Sequence, residues 1–272
     1  MKINTGRMLA VISSVIIALY LLAFILDLVD PGYLGVRSLS NLLIFRKGPS
    51  IIPAPPVLSN GWNDYMGTTY YGILLFPALL GSLKFDFTVM FVSLAISASV
   101  GILIGGSAAI IGRGYKKIIV YIMKIFSSAP YILIMLLILY IVRPLETGII
   151  IAISTGWFPF YVLRSLNIFE TKLKNRENYS NKRLLLNFLP YFFTDIGAIT
   201  GVVTIITYFG FYFRNPLVID IGNIMYLDGN VNIFLLSGVW WIVIFPLAFI
   251  TVFISFTALL SYELGGKDDA RI

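Results

Sequence analysis

The sequence contains no cysteine and no histidine. Without cysteine there are no disulfides, no thiolate nucleophiles and no thiolate-ligated iron–sulfur clusters. Without histidine there is no imidazole base and no histidine-ligated haem, and the two absences together exclude a Cys/His zinc site. Charge is scarce as well. Charged residues make up 12% of the 272 positions, against roughly 25% in an ordinary soluble domain. So few charges do not cover the surface of a water-soluble fold of this size. Both common phosphate-binding loops are missing: there is no G-x-x-x-x-G-K-[ST] and no G-x-G-x-x-G. Energy for any uphill movement must then come from a partner or an ion gradient.

What is abundant is apolar. Hydrophobic residues make up 58% of the chain and the mean hydropathy is +0.91. Long charge-free runs cover residues 8–26, 87–112, 125–142, 147–163 and 196–213, and a last one has its apolar core at 234–260. At about 1.5 Å per residue, runs of this length cross a hydrocarbon core of about 30 Å. Lipid offers the backbone no hydrogen-bond partners, so each run is expected as a helix, giving an all-α polytopic membrane protein with six spans. The first run is followed by Asp27 rather than a small-residue cleavage site, and reads as an uncleaved anchor.

Six spans place both termini on one side. Arg37, Arg46, Lys47, Lys84, Arg143 and Arg214 fall on the other side, and the 20 basic residues less these six leave fourteen with the termini. The positive-inside rule therefore predicts cytoplasmic termini in the cell membrane. It also accounts for the net charge of +7, so nucleic acid is not expected as a partner. The expected organisation is an N-terminal tail and first span over 1–30, an external loop region over 31–86, and a five-helix core over 87–272. That core contains a cytoplasmic loop at 167–188 and an external loop at 214–232.

Gly101–Gly105 and Gly197–Gly201 are small-x-x-x-small pairs that let helices approach closely. Pro130, Pro159 and Pro246 each remove a backbone donor and can bend a span. No ionisable residue sits at the centre of a charge-free run, and Lys124, Arg143, Arg164 and Asp195 lie at run ends. This argues against proton-coupled transport and for a path suited to uncharged or zwitterionic solutes. Thr200, Thr204 and Thr207 share one helical face and are candidates to line such a path. The polar, basic stretch Arg176, Glu177, Asn178, Tyr179, Ser180, Asn181, Lys182 and Arg183 is a candidate docking helix for a soluble partner.

Several short matches, in order, resemble the membrane subunits of ABC importers of the dipeptide/oligopeptide permease type. That family carries G-T-D-x-x-G-R-D before its second span; here Gly67-Thr68-Thr69-Tyr70-Tyr71-Gly72-Ile73 keeps Gly, Thr and Gly. Gly101, Gly105 and Gly106 match its glycine-rich second span, and Ala129-Pro130 the start of the third. Trp157, Tyr161 and Arg164 partly match W-x-x-Y-x-R, and Leu189-Pro190 stands before the fifth span. Tyr208-Phe209-Gly210-Phe211 and Gly222-Asn223-Ile224-Met225 follow in sequence, then Trp240-Trp241 and Pro246. The family's E-A-A-x-x-x-G coupling loop departs from pattern. If Glu177 is its Glu, then Asn178 and Tyr179 replace both Ala, and Arg183 replaces Gly; counting back from Pro190 instead puts the Glu near Glu170, again without Ala-Ala or Gly.

The resemblance implies a type I ABC importer permease fold. It also implies a second permease subunit, two ATP-binding subunits that carry ATP and Mg, and an external solute-binding protein. No cofactor and no catalytic residue are expected in this chain, and it is not expected to be an enzyme. Residues 176–183 would couple to the ATPase; Gly67, Thr68, Gly72, Gly222 and Asn223 would belong to external-loop motifs. Short peptides are the expected solute. Oligosaccharides, or a decayed non-transporting scaffold, are the alternatives.

Overall fold

A computed structural model describes residues 5–29, 53–57, 65–69, 73–142, 146–174, 181–209, 220–228 and 238–265. Its elements are helices: α1 (Thr5–Val29), α2 (Leu75–Ile111), α3 (Arg113–Ser128), α4 (Tyr131–Val142), α5 (Glu146–Lys174), α6 (Asn181–Tyr208), α7 (Ile221–Asp228) and α8 (Trp241–Gly265). Five of them, α1, α2, α5, α6 and α8, are long and apolar enough to cross a membrane. The pair α3 and α4 adds a sixth span if it is counted as one, although it is bent by 86° at its break. The chain is thus an all-helical, multi-pass membrane protein with five or six candidate spans.

Helix boundaries depart from the charge-free runs. The second helix begins at Leu75, inside the stretch expected as external loop, and Asp86 is its twelfth residue. At 37 residues it is about 55 Å long, well beyond a hydrocarbon core of about 30 Å. Asp195 and Arg164 likewise lie inside helices rather than at their ends. Counting charge-free residues stops at the first charge. A helix continues through a charge whose side chain finds a partner.

The chain divides into two compact units: residues 1–88 with 200–263, and residues 89–199 with 264–272. In the first, a core forms around Leu75, Leu79, Ile221, Trp241, Ile242 and Ile250. The first helix joins it through aromatic rings. Tyr20 lies 4.8 Å from Phe249 and 5.1 Å from Phe253, and Phe24 lies 5.6 Å from Phe87. The Tyr20 hydroxyl donates to the Phe249 carbonyl at 2.7 Å, so the polar tip of the ring is satisfied where water is excluded.

In the second unit, α2 and α5 are in close backbone contact. A methyl group at Gly101 would sit 2.2 Å from Tyr161 Cβ, and one at Gly105 would sit 2.0 Å from Ser165 Oγ. This is the close approach expected of the Gly101–Gly105 pair. Gly201, by contrast, would meet only Ile254 Cδ1, at 3.3 Å. Hydroxyls bond along the same seam. Ser165 Oγ donates to the Gly101 carbonyl at 3.0 Å, and Ser97 Oγ lies 3.3 Å from the Ser154 carbonyl.

Candidate solute site at a broken helix

The break between α3 and α4 lies in the run Phe126-Ser127-Ser128-Ala129-Pro130-Tyr131. Proline disfavours helical geometry in the residue before it, and Ala129 is extended, with φ −89° and ψ 143°. Pro130 then starts the next helix, its carbonyl accepting from the Leu133 N–H at 2.9 Å. Non-helical backbone at membrane depth is tolerated only where protein buries it or it lines a cavity. Here the break lines a cavity of about 290 Å³.

The far wall comes from α5: Thr155, Gly156, Pro159 and Phe160. Pro159 has no N–H, so the Thr155 carbonyl loses its helical donor at the cavity wall. Gly156 is small because α4 crosses there, and a methyl group on it would sit 2.4 Å from Met135 Cε. Aromatic rings brace the wall. Tyr131 meets Trp157 edge-on at 5.3 Å, and Trp157 lies 5.9 Å from Phe160. The lining carries hydroxyls on Ser127, Ser128, Thr155 and Tyr131, and no charged side chain. Such a surface hydrogen-bonds and stacks on a neutral solute and offers no counter-charge.

The residues singled out from sequence fall elsewhere. Thr200, Thr204 and Thr207 are all buried. Thr204 and Thr207 donate back to Thr200 and Val203 carbonyls, at 3.0 and 3.1 Å. Gly222 of α7 lies against them: a methyl group there would sit 2.1 Å from Thr207 Oγ1. Asn223 is buried in the same helix.

Gly67 adopts φ 75°, a conformation glycine takes without strain. Thr68 is stapled on three sides. Its N–H donates to the Ala54 carbonyl at 3.0 Å, its hydroxyl accepts from the Ala54 N–H at 2.7 Å, and its carbonyl accepts from Trp241 Nε1 at 3.1 Å. Gly72 and residues 176–180 lie outside the described residues. Asn181, Lys182 and Arg183 form the start of α6. Among the described residues no cluster of three or more acidic residues could hold a metal.

Sequence reasoning named Pro130 and Pro159 but did not join them into one site, and it passed over Phe126, Ser127, Ser128 and Tyr131. The signal was a polar Ser-Ser-Ala-Pro interruption within an apolar stretch, a mark of discontinuous membrane helices at binding sites. Compared with known proteins, the sequence matches no family model and no curated protein.

Proposed function

We propose that this chain is the membrane-spanning permease subunit of an ATP-driven ABC importer, forming half of a path for short peptides delivered by an external binding protein. The observation that supports this best is the broken helix. It opens a neutral, hydroxyl-bearing cavity of about 290 Å³ within a multi-pass helical protein. The assignment to an importer of this type rests on the ordered motif resemblance. On this reading both termini are cytoplasmic, ATP is hydrolysed by partner subunits, and residues 176–183 transmit their movement. Alternating access follows as a population shift that opens the path to one side and then the other.

Oligosaccharide import is a second reading with its own support. The cavity wall pairs aromatic faces with hydroxyls and lacks the charges that would meet peptide termini.

The test fills the cavity. Thr155→Phe is expected to abolish solute-stimulated ATP hydrolysis in the reconstituted complex while subunit assembly persists. Unchanged stimulation would remove the cavity from the path, and failure of the chain to assemble with any ATP-binding subunit would remove the importer reading.

A further inference from the structure

Asp86 and Asp220 are both fully buried, at 0% exposure. They come from separate parts of the chain, α2 and the residue preceding α7, yet both carboxyls address the first turn of α7. Asp86 Oδ2 accepts from the Ile221 N–H at 3.2 Å across a separation of 135 residues. Asp220 Oδ1 accepts from the Asn223 N–H at 2.7 Å, and the Asp220 carbonyl accepts from the Ile224 N–H at 3.0 Å, so Asp220 caps the helix. The Thr207 hydroxyl and the Gly222 N–H also reach Asp220.

The other two oxygens, Asp86 Oδ1 and Asp220 Oδ2, are buried and have no hydrogen-bond partner among the described residues. A helix N-terminus and a few N–H donors suit one negative charge. Two carboxylates in the same dry space repel each other.

Among the described residues no cation forms an ion pair with them. Lys84, two residues before Asp86, is exposed, and its charge acts on Asp27 of α1. Other titratable groups on the neighbouring helices include Tyr208 of α6, Tyr226 and Asp228 of α7, and Tyr262 and Glu263 of α8, the last set against Gly6. Among the described residues the ion pairs are Lys116–Glu170 and Arg164–Asp195, neither of which involves the two aspartates.

We propose that Asp86 and Asp220 form a proton-binding site, in which one proton held by the pair supplies the donor their free oxygens lack and ties α7 to α2. One carboxyl is neutral and the other ionised. Removing the proton leaves two negative charges at the first turn of α7 and loosens that tie. Burial pushes the Asp220 carboxyl up to about 6, so proton release accompanies a rise in pH. The site belongs to the chain whatever it transports, because it is built without any cavity-lining residue.

The test is infrared difference spectroscopy of the full-length chain in lipid nanodiscs, with carbon-13 labelled aspartate, across a pH titration. A carbonyl stretch of neutral aspartic acid is expected at mildly acidic pH and lost as pH rises. Asp86→Asn and Asp220→Asn should each remove it, and Asp195→Asn should leave it. Amide exchange at Gly222 and Asn223 should accelerate in step with its loss, a readout that needs no variant. Absence of the band from the folded protein, or its survival in both variants, would overturn the site. A titration that shifts with sodium or potassium at constant ionic strength would assign the pair to a metal cation instead.

Discussion

Arg164 of α5 and Asp195 of α6 form an ion pair well inside their helices, and the guanidinium lies over two rings, 4.7 Å from the Tyr191 centroid and 5.6 Å from that of Tyr161. Asp195 is 2% exposed, so Arg164 is what makes its charge tolerable in an apolar bundle. The planar guanidinium serves both partners at once, offering N–H donors at its edge and a face to the tyrosines.

Removing one partner of this pair is therefore expected to cost more than removing both. Breaking a fully buried pair costs about 3–5 kcal/mol. The Arg164 side chain is 26% exposed, so Arg164→Ala is expected to cost nearer about 2 kcal/mol. The double variant Arg164→Met/Asp195→Leu should recover most of that loss. Thermal unfolding in detergent, run as a double-mutant cycle, measures the coupling. Additive losses would show that the two side chains stabilise the helices separately.

Close helix contact makes a second expectation. Gly105→Val would drive its side chain into Ser165 Oγ and the Val162 carbonyl, 2.0 and 2.3 Å from the first added carbon. Overpacking against backbone costs about 3 kcal/mol or more. Gly114 has nothing within 4 Å of an added carbon, so Gly114→Ala should be neutral or stabilising by up to about 1 kcal/mol. Equal melting behaviour in the two variants would contradict the α2–α5 contact.

The Asp220 carboxyl sets the sign of a pH dependence. An aspartate in the unfolded chain titrates near about 3.9, and burial pushes Asp220 up to about 6 in the fold. Between these values the folded state holds a proton that the unfolded state has lost. Stability must then fall as pH rises through that window and stay lower above it. Melting temperatures from pH 4 to pH 8 in about half-unit steps follow the effect, and Asp220→Asn should flatten the profile. A native profile that rises over this range would contradict the burial of the pair.

The long apolar runs were legible because lipid imposes one requirement on each segment separately: enough apolar length, with every backbone group bonded inside the helix. Residues 8–26, 147–163 and the 241–260 part of the last run fall inside helices that can span, and Gly101 and Gly105 marked a close helix contact. Helix starts were not legible in the same way. Leu75 begins α2 well before the charge-free run because Asp86 finds the Ile221 N–H, a contact made 135 residues away.

Composition and spacing alone thus determined that this is a helical membrane protein and where most of its spans run, because partition into lipid depends on each segment's own residues. Only the tertiary structure decided that the third apolar run bends by 86°, that its break opens on Thr155 and Phe160, and that Asp86 meets the first turn of α7. Those outcomes depend on which helix faces lie against one another, and buried charges and broken backbone are tolerated only where a distant residue satisfies them.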